Sequence, residues 1–145
     1  MPEDAIARPP DAFAWLVAAL ARGDLTSAQL EQRLLKAGFE HEACAHALER
    51  AANAGYVDDT RVAVERARRL AERDASDEAI RADLAGRGLP EEQVELALER
   101  VTPEAERAER LAARLGSGPR AARALLRKGY PQDVVERTLR LEIAE

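Results

Sequence analysis

The sequence predicts an all-α protein: three tandem three-helix repeats stacked into an elongated, curved array. Three observations lead to this prediction. Ala, Leu, Glu and Arg dominate, and all four favour helices. β-branched residues do not alternate with polar ones over any useful length, which argues against strands. One glycine-centred pattern also occurs three times. Apolar residues make up 46% of the 145 residues, so the chain is able to bury a core.

The repeated pattern is centred on Gly38, Gly88 and Gly129, which lie 50 and then 41 residues apart. A leucine stands four residues before each glycine, and an aromatic residue or leucine follows directly. Apolar residues come six and ten positions later. These spacings place apolar side chains on one face of a helix before the glycine and of another after it. Because helices often end at a residue with positive φ, the glycine marks the end of the first helix.

Other residues indicate where these helices begin. Thr26, Ser76 and Ser117 stand twelve residues before the three glycines, where a hydroxyl caps the free N–H groups of a helix. Gln29 completes a capping box in the first copy. Prolines after the second and third glycines help to start the next helix. A further helix precedes each pair, over about 13–22, 60–73 and 104–115.

These helices divide the chain into four segments. Residues 1–12 form a flexible start, and the repeats cover 13–55, 56–102 and 103–145. Each helix has about 10–13 residues, which is too short to be stable alone. The repeats are therefore expected to stack into one continuous core.

Charge is unevenly distributed along the chain. The net charge is −5, yet residues 1–60 carry −5 and residues 105–145 carry +3. This gradient favours an anionic partner near the C-terminus, although a general DNA-coating protein would be strongly basic throughout. A single cysteine fits a reducing compartment, and no apolar run approaches the roughly 18 residues of a membrane span. We expect a cytoplasmic monomer without membrane contact.

Two clusters of residue types used in metal binding or catalysis are interpreted as structural. His41 and His46 are separated by about 140° around a helix, so they do not converge with Cys44 on a metal. Asp58 and Asp59 precede a helix, where carboxylates cap its N-terminus. No catalytic triad, phosphate loop or nucleophile motif is present. The sequence therefore predicts a protein that is not an enzyme, with no catalytic residue, cofactor or metal.

The arginines follow a pattern of their own. The first helices of the second and third repeats carry them at i, i+3 and i+7, at identical distances from the glycine, which places them on one face. A third stripe follows on the next helix. Because the planar guanidinium suits carboxylates and phosphates, we interpret these residues as a partner-binding surface. The set is Arg66, Arg69, Arg73, Arg107, Arg110, Arg114, Arg120, Arg123, Arg127 and Lys128.

The alternative is a solvated face held by ion pairs one helical turn apart, such as Glu65 with Arg69 and Glu106 with Arg110. Each such pair is worth only about 0.2–0.5 kcal/mol. Both interpretations stay open at this point. If the stripes bind a partner, Arg66→Glu with Arg107→Glu weakens binding and leaves the helices intact.

The segment GYVDDTRVAVERARRL at 55–70 resembles a motif of the RecX regulatory proteins of bacteria. That motif is an aromatic residue, an aliphatic residue, two acids, a variable residue, arginine, an apolar residue and alanine. The matching residues are Tyr56, Val57, Asp58, Asp59, Arg61, Val62 and Ala63. The upstream segment LTSAQLEQRLLKAGF and the triple repeat agree with this resemblance.

The resemblance implies a non-enzymatic regulator of the RecA recombinase. Such a protein binds in the groove of the RecA–ssDNA filament and inhibits filament extension, ATP hydrolysis and strand exchange. We interpret the motif as mainly structural: Tyr56 and Val57 dock one repeat against the next, and Asp58 or Asp59 caps a helix. Arg61 completes it.

Two departures from the family concern DNA. The chain is acidic, and LARGDLTSAQL lacks the extra basic residues that are common before the second helix of the first repeat, so we expect only weak contact with single-stranded or duplex DNA. Two alternatives remain: a DNA-binding module resembling a helix-turn-helix, and a helical scaffold for another protein.

Overall fold

The computed structural model describes residues 11–116 and 118–144, with side chains described up to Arg140. Within these residues the chain forms nine α-helices and no strand, which confirms the all-α prediction. None of the helices in this part is long and apolar enough to cross a membrane. The helices are α1 (Ala12–Leu20), α2 (Ser27–Lys36), α3 (His41–Asn53), α4 (Asp59–Glu72), α5 (Asp77–Gly86), α6 (Glu91–Glu99), α7 (Glu104–Leu115), α8 (Pro119–Arg127) and α9 (Gln132–Ala144).

The three glycines end their helices as predicted. Gly38, Gly88 and Gly129 have φ values of 102°, 81° and 93°, a region that L-residues with a side chain rarely adopt. The residue after the glycine then donates its N–H back to the last turn. The N–H of Phe39 reaches the carbonyl oxygen of Leu34 at 3.2 Å, and the same bond recurs after Gly129. This arrangement is a Schellman motif, which satisfies carbonyls at the helix end.

The capping residues also begin their helices as predicted. The hydroxyl of Thr26 accepts the N–H of Gln29 at 3.1 Å, and the Gln29 side chain accepts the N–H of Thr26 at 3.0 Å. This pair forms the capping box at the start of α2. The hydroxyl of Ser76 likewise accepts the N–H of Ala79 at 3.1 Å. The third predicted cap, Ser117, lies outside the described residues, as do residues 1–10 of the predicted flexible start.

The chain separates into two compact units. Unit 1 comprises Met1–Val62 with Arg87–Leu89, and unit 2 comprises Ala63–Gly86 with Pro90–Glu145. In unit 1, α1, α2 and α3 pack on one another around buried side chains that include Leu16. In unit 2, α7, α8 and α9 pack together around Leu125 and neighbouring residues, and α5 packs against α6. The division into three repeats and their stacking into an array remain predictions.

Each unit contains the same type of joint, in which a glycine turn rests against the start of an earlier helix. In unit 1, Thr26 donates its hydroxyl to the carbonyl of Arg87 at 2.6 Å. A Cβ added at Gly88 would overlap the Cβ of Ala28. In unit 2, a Cβ added at Gly129 would lie only 2.9 Å from the hydroxyl oxygen of Ser76. The glycines therefore permit both a positive φ and a close approach.

An acidic side chain completes each joint. The carboxylate of Asp59, at the start of α4, accepts the N–H of Ser27 at 2.8 Å. The carboxylate of Glu104, at the start of α7, accepts the N–H of Asp77 at 2.7 Å. In both joints a carboxylate from a later helix caps a free N–H in the first turn of an earlier one.

Candidate partner-binding surface

Arg107 belongs to the interior of unit 2. It is fully buried and is the largest side chain enclosed in the described structure. Its guanidinium donates to the carbonyls of Ala75 at 3.0 Å and Thr102 at 2.6 Å, and to the carboxylate of Asp77 at 2.5 Å. Every nitrogen of the fork is therefore engaged inside the fold. A charge reversal here would bury an unpaired acid, which contradicts the expectation that Arg107→Glu leaves the helices intact.

Arg66, at the same distance before its glycine, also has an internal partner. Its guanidinium donates two parallel hydrogen bonds of 3.0 Å to the carboxylate of Asp83, which links α4 to α5. The hydrogen bond to this carboxylate raises the pKa of Arg66. The side chain is 28% exposed. Arg66 and Arg107 thus stabilise the fold, and the exposed residues of the set carry the hypothesis of a partner surface.

The centre of the remaining surface is Asp74, just after α4. Its side chain is fully buried, and its backbone has a φ of +61°, which residues other than glycine adopt only rarely. Arg110 donates to one carboxylate oxygen at 2.8 Å and to the carbonyl of Ala71 at 2.9 Å. Arg114 donates to the other carboxylate oxygen at 2.5 Å. Two guanidiniums of α7 thus hold one buried carboxylate at the end of α4.

Tyr130 and Lys128 connect the backbone around Asp74 to the turn that follows α8. The hydroxyl of Tyr130 donates to the carbonyl of Asp74 at 2.6 Å, and the ammonium of Lys128 donates to the carbonyl of Arg73 at 2.8 Å. Tyr130 is only 3% exposed, and burial raises its pKa to about 12. The turn that ends α8 is therefore tied to the turn that ends α4.

We refer to Arg73, Asp74, Arg110, Arg114 and Lys128 as the Asp74 cluster. Two of its four cations contact the carboxylate, and Lys128 contacts the carbonyl of the neighbouring Arg73, so the five residues together carry a net charge of +3. The side chains of Arg110 and Arg114 are 46% and 59% exposed, so both reach solvent while they hold the carboxylate. The cluster presents fixed guanidiniums to solvent, which suits binding of carboxylates or phosphates.

Further exposed arginines extend along α8. Arg120, Arg123 and Arg127 make no ion pair with any described residue, and Leu126 is 52% exposed beside them. Because Lys128 directly follows Arg127, the end of this stripe adjoins the Asp74 cluster. Arg69 is also exposed on α4. The sequence pattern identified the cations of this surface but missed Asp74, whose only local signal is that aspartate tolerates positive φ better than most residues.

The five motif residues at 56–61 lie in unit 1. Asp58 accepts the N–H of Arg61 at 3.1 Å and caps α4 as predicted. Asp59 belongs to the joint described above. Val57 is buried in the core of unit 1, whereas Tyr56 is half-exposed. Arg61 is exposed.

The ring of Tyr56 lies 6.2 Å from that of Phe13, centroid to centroid, within the same unit. The structure thus gives local structural roles to the caps and to the two apolar motif residues. Docking of one repeat on the next by Tyr56 and Val57 remains a prediction.

The residues weighed as metal ligands do not form a cluster. Cys44 is buried in the core of unit 1, and burial raises the pKa of its thiol. His41 and His46 are exposed. The described residues contain no group of three or more His, Cys, Asp or Glu side chains suited to a metal ion.

Tyr130 predicts a pH-dependent difference in stability. Burial holds the phenol in its neutral form with a pKa of about 12, against about 10 in an unfolded chain. This contribution is fully present below pH 10 and is lost as the pH rises toward 12. We expect the wild type to lose up to about 3 kcal/mol of unfolding free energy over that range, relative to Tyr130→Phe. Urea titrations of both proteins from pH 8 to 12 measure the difference.

At pH 8 the Tyr130→Phe variant itself should be less stable by about 1–2 kcal/mol, because the carbonyl of Asp74 loses its hydroxyl donor. Comparison with this variant removes the effects of every other ionisable group, because both proteins share them. Parallel pH profiles would contradict the prediction.

Known structures share the arrangement of these helices. The crystal structure of RecX from Lactobacillus salivarius matches with a TM-score of 0.78 and 18% identity, over 92% of this chain and 96% of that one. The crystal structure of a regulatory protein RecX matches with a TM-score of 0.74 and 22% identity, over 88% of this chain and 70% of that one. No protein-family model and no curated protein sequence matches the chain.

The described residues thus form an all-α protein, and their surface carries the Asp74 cluster. More particularly, the chain has the fold of the RecX proteins, as its motif and repeats predicted.

Proposed function

We propose that this protein is a RecX-type regulator of the RecA recombinase, which acts by binding the RecA–ssDNA filament and not by catalysis. The single observation that carries the proposal is the likeness to the RecX crystal structure over 92% of the chain. The GYVDDTRVA motif at 55–63 supports it independently of the fold, because it resembles the RecX motif residue by residue.

The binding surface that we propose is the Asp74 cluster together with the exposed arginines of α4 and α8. A filament groove offers protein carboxylates and DNA phosphates, and arginine binds both through its planar fork. A protein held in this groove would contact neighbouring subunits and hinder both the addition of new ones and the changes that accompany ATP hydrolysis. The regulator would thus inhibit filament extension, ATP hydrolysis and strand exchange.

The test of this function is a titration of the protein into RecA-driven, ssDNA-dependent ATP hydrolysis. We expect saturable inhibition that weakens as salt rises, because charged groups make the contact. A lack of inhibition at a several-fold excess over RecA subunits would contradict the proposal.

The surface is tested by Arg73→Glu combined with Lys128→Glu. Both side chains are exposed cations of the Asp74 cluster, and neither contacts the buried carboxylate directly. We expect the concentration for half-maximal inhibition to rise about tenfold, since each reversal replaces attraction with repulsion. Arg100→Glu with Arg137→Glu is the matched control, because both arginines are exposed in unit 2 and lie outside the cluster.

Circular dichroism should give the same helical content for all three proteins. If the cluster variant inhibits like the wild type, the Asp74 cluster is not the binding surface. If the control variant loses inhibition equally, only overall charge matters.

The α8 stripe also favours a second function, direct binding to DNA, because three exposed arginines at helical spacing match a row of phosphates. This function predicts binding to a labelled duplex with a steep dependence on salt. Tight duplex binding without any effect on RecA would favour it over the regulator.

A further inference from the structure

Unit 1 contains a groove of about 390 Å³ lined by residues from α1, α2 and the turns that follow them. Its apolar lining consists of Trp15, Ala18, Ala19 and Ala37. A volume of this size lies within the range of clefts that bind small ligands and peptide side chains.

Three cations stand at the same groove: Arg22, Arg33 and Lys36. All three are exposed, and none makes an ion pair with any residue that the structure describes. Residues 1–60 carry only five basic side chains and a net charge of −5, so this groove gathers three of the five. The rim is therefore positive within the most acidic part of the sequence.

The positions of these cations have a partial local explanation. Arg33 and Lys36 lie in the last turn of α2, where positive charge complements the helix dipole. This effect accounts for the charge on the helix end. It does not account for an indole and three alanines that line the same open groove as three cations without ion pairs.

We infer that this groove binds an acidic segment of a protein partner through one apolar side chain and its flanking carboxylates. The apolar side chain would pack on Trp15 and the alanines, and the carboxylates would meet the three cations. Charge complementarity favours this occupant. A nucleic acid strand fits less well, because a single half-buried indole offers no series of stacking platforms and the chain as a whole is acidic.

The inference goes beyond the proposed function, because it uses none of the residues of the Asp74 cluster and concerns a different unit. The groove and the cluster are therefore testable separately.

The experiment uses the fluorescence of Trp15, the only tryptophan in the chain. The probe is the synthetic peptide acetyl-EDLFEDE-amide, which carries an apolar centre between carboxylates and no tryptophan. We expect a saturable change in Trp15 emission. Two comparison peptides, acetyl-KKLFKKK-amide and acetyl-EDSSEDE-amide, should bind at least about tenfold more weakly. The first carries positive instead of negative charge, and the second lacks the apolar anchor.

Arg33→Glu with Lys36→Glu should weaken binding of the acidic peptide by about tenfold or more. Arg137→Glu, an exposed reversal in unit 2, should leave it unchanged, and circular dichroism should report equal helical content in all three proteins. Unchanged affinity of the double variant would overturn the inference.

Two further outcomes would also overturn it. A dT oligonucleotide that changes Trp15 emission at lower concentration than the acidic peptide would make the groove a nucleic acid site. Emission that changes with protein concentration alone would place a second copy of this chain there. Neither outcome alters the RecA titration, so failure of this inference is distinct from failure of the proposed function.

Discussion

Replacement of Arg107 by methionine is expected to lower the free energy of unfolding by about 3–5 kcal/mol. Methionine keeps much of the apolar stem but removes all donors. The carboxylate of Asp77 and the carbonyls of Ala75 and Thr102 would then lose the guanidinium that they share. Because Arg107 is fully buried, water cannot replace it without opening the core of unit 2. Urea denaturation followed by circular dichroism at pH 7 measures the loss.

Arg66→Met is the matched control, because Arg66 stands at the same distance from its glycine. Its pair with Asp83 is 28% and 25% exposed, so solvent weakens the interaction and the expected cost is only about 1 kcal/mol. A loss at Arg107 no larger than that at Arg66 would contradict the buried position of Arg107.

The second large effect is expected at Asp74, where backbone and carboxylate contribute separately. Asp74→Ala removes the acceptor shared by Arg110 and Arg114. It also puts alanine, which lacks the polar side chain that helps aspartate adopt this conformation, at φ +61°. We expect a loss of about 2.5–5 kcal/mol, as the sum of about 1–2 for the backbone and about 1.5–3 for the charged hydrogen bonds. Urea denaturation again gives the measurement.

A series at this position separates the two contributions. Glycine removes the carboxylate but tolerates positive φ, so Asp74→Gly should be more stable than Asp74→Ala by about 1 kcal/mol. Asparagine tolerates positive φ and keeps one acceptor oxygen, so Asp74→Asn should be the least destabilised of the three. The reverse order of glycine and alanine would show that backbone conformation contributes nothing here.

Much of the fold was predictable from local signals. A glycine at a helix end and a hydroxyl or carboxylate at a helix start each act within a few residues. Thr26, Ser76 and Asp58 therefore cap their helices, and Gly38 ends α2, as the spacing predicted. The predicted extents of α1, α4 and α7 lie within about two residues of those observed, for the same reason.

The candidate site was only partly predictable. Periodicity places arginines on one face of a helix but does not reveal whether another part of the chain covers that face. The partners of Arg107 and Arg114 lie 30 and 40 residues away along the sequence, beyond the reach of any local pattern. The spacing therefore grouped these arginines on helix faces but did not separate the buried Arg107 from the exposed ones.

A comparison of equivalent positions explains why the two matching arginines differ. Asp83, the partner of Arg66, stands five residues before Gly88. The residue five before Gly129 is Ala124, which offers no carboxylate to Arg107. Arg107 instead pairs with Asp77 at the start of α5 and becomes enclosed. The position equivalent to Asp77 before the first glycine is Ser27, which offers no carboxylate to Arg66, so acids at two different positions distinguish the accessible pair from the interior one.

The hydrogen bonds that Arg110 and Arg114 donate to Asp74 affect the entropy of partner binding. A long side chain that becomes immobile on binding usually costs about 0.5–1.5 kcal/mol in rotamer freedom. Here the free protein has already restricted both side chains during folding, before any partner arrives. Contacts made through these two guanidiniums would thus carry a smaller entropic penalty than contacts made through the unrestrained arginines of α8.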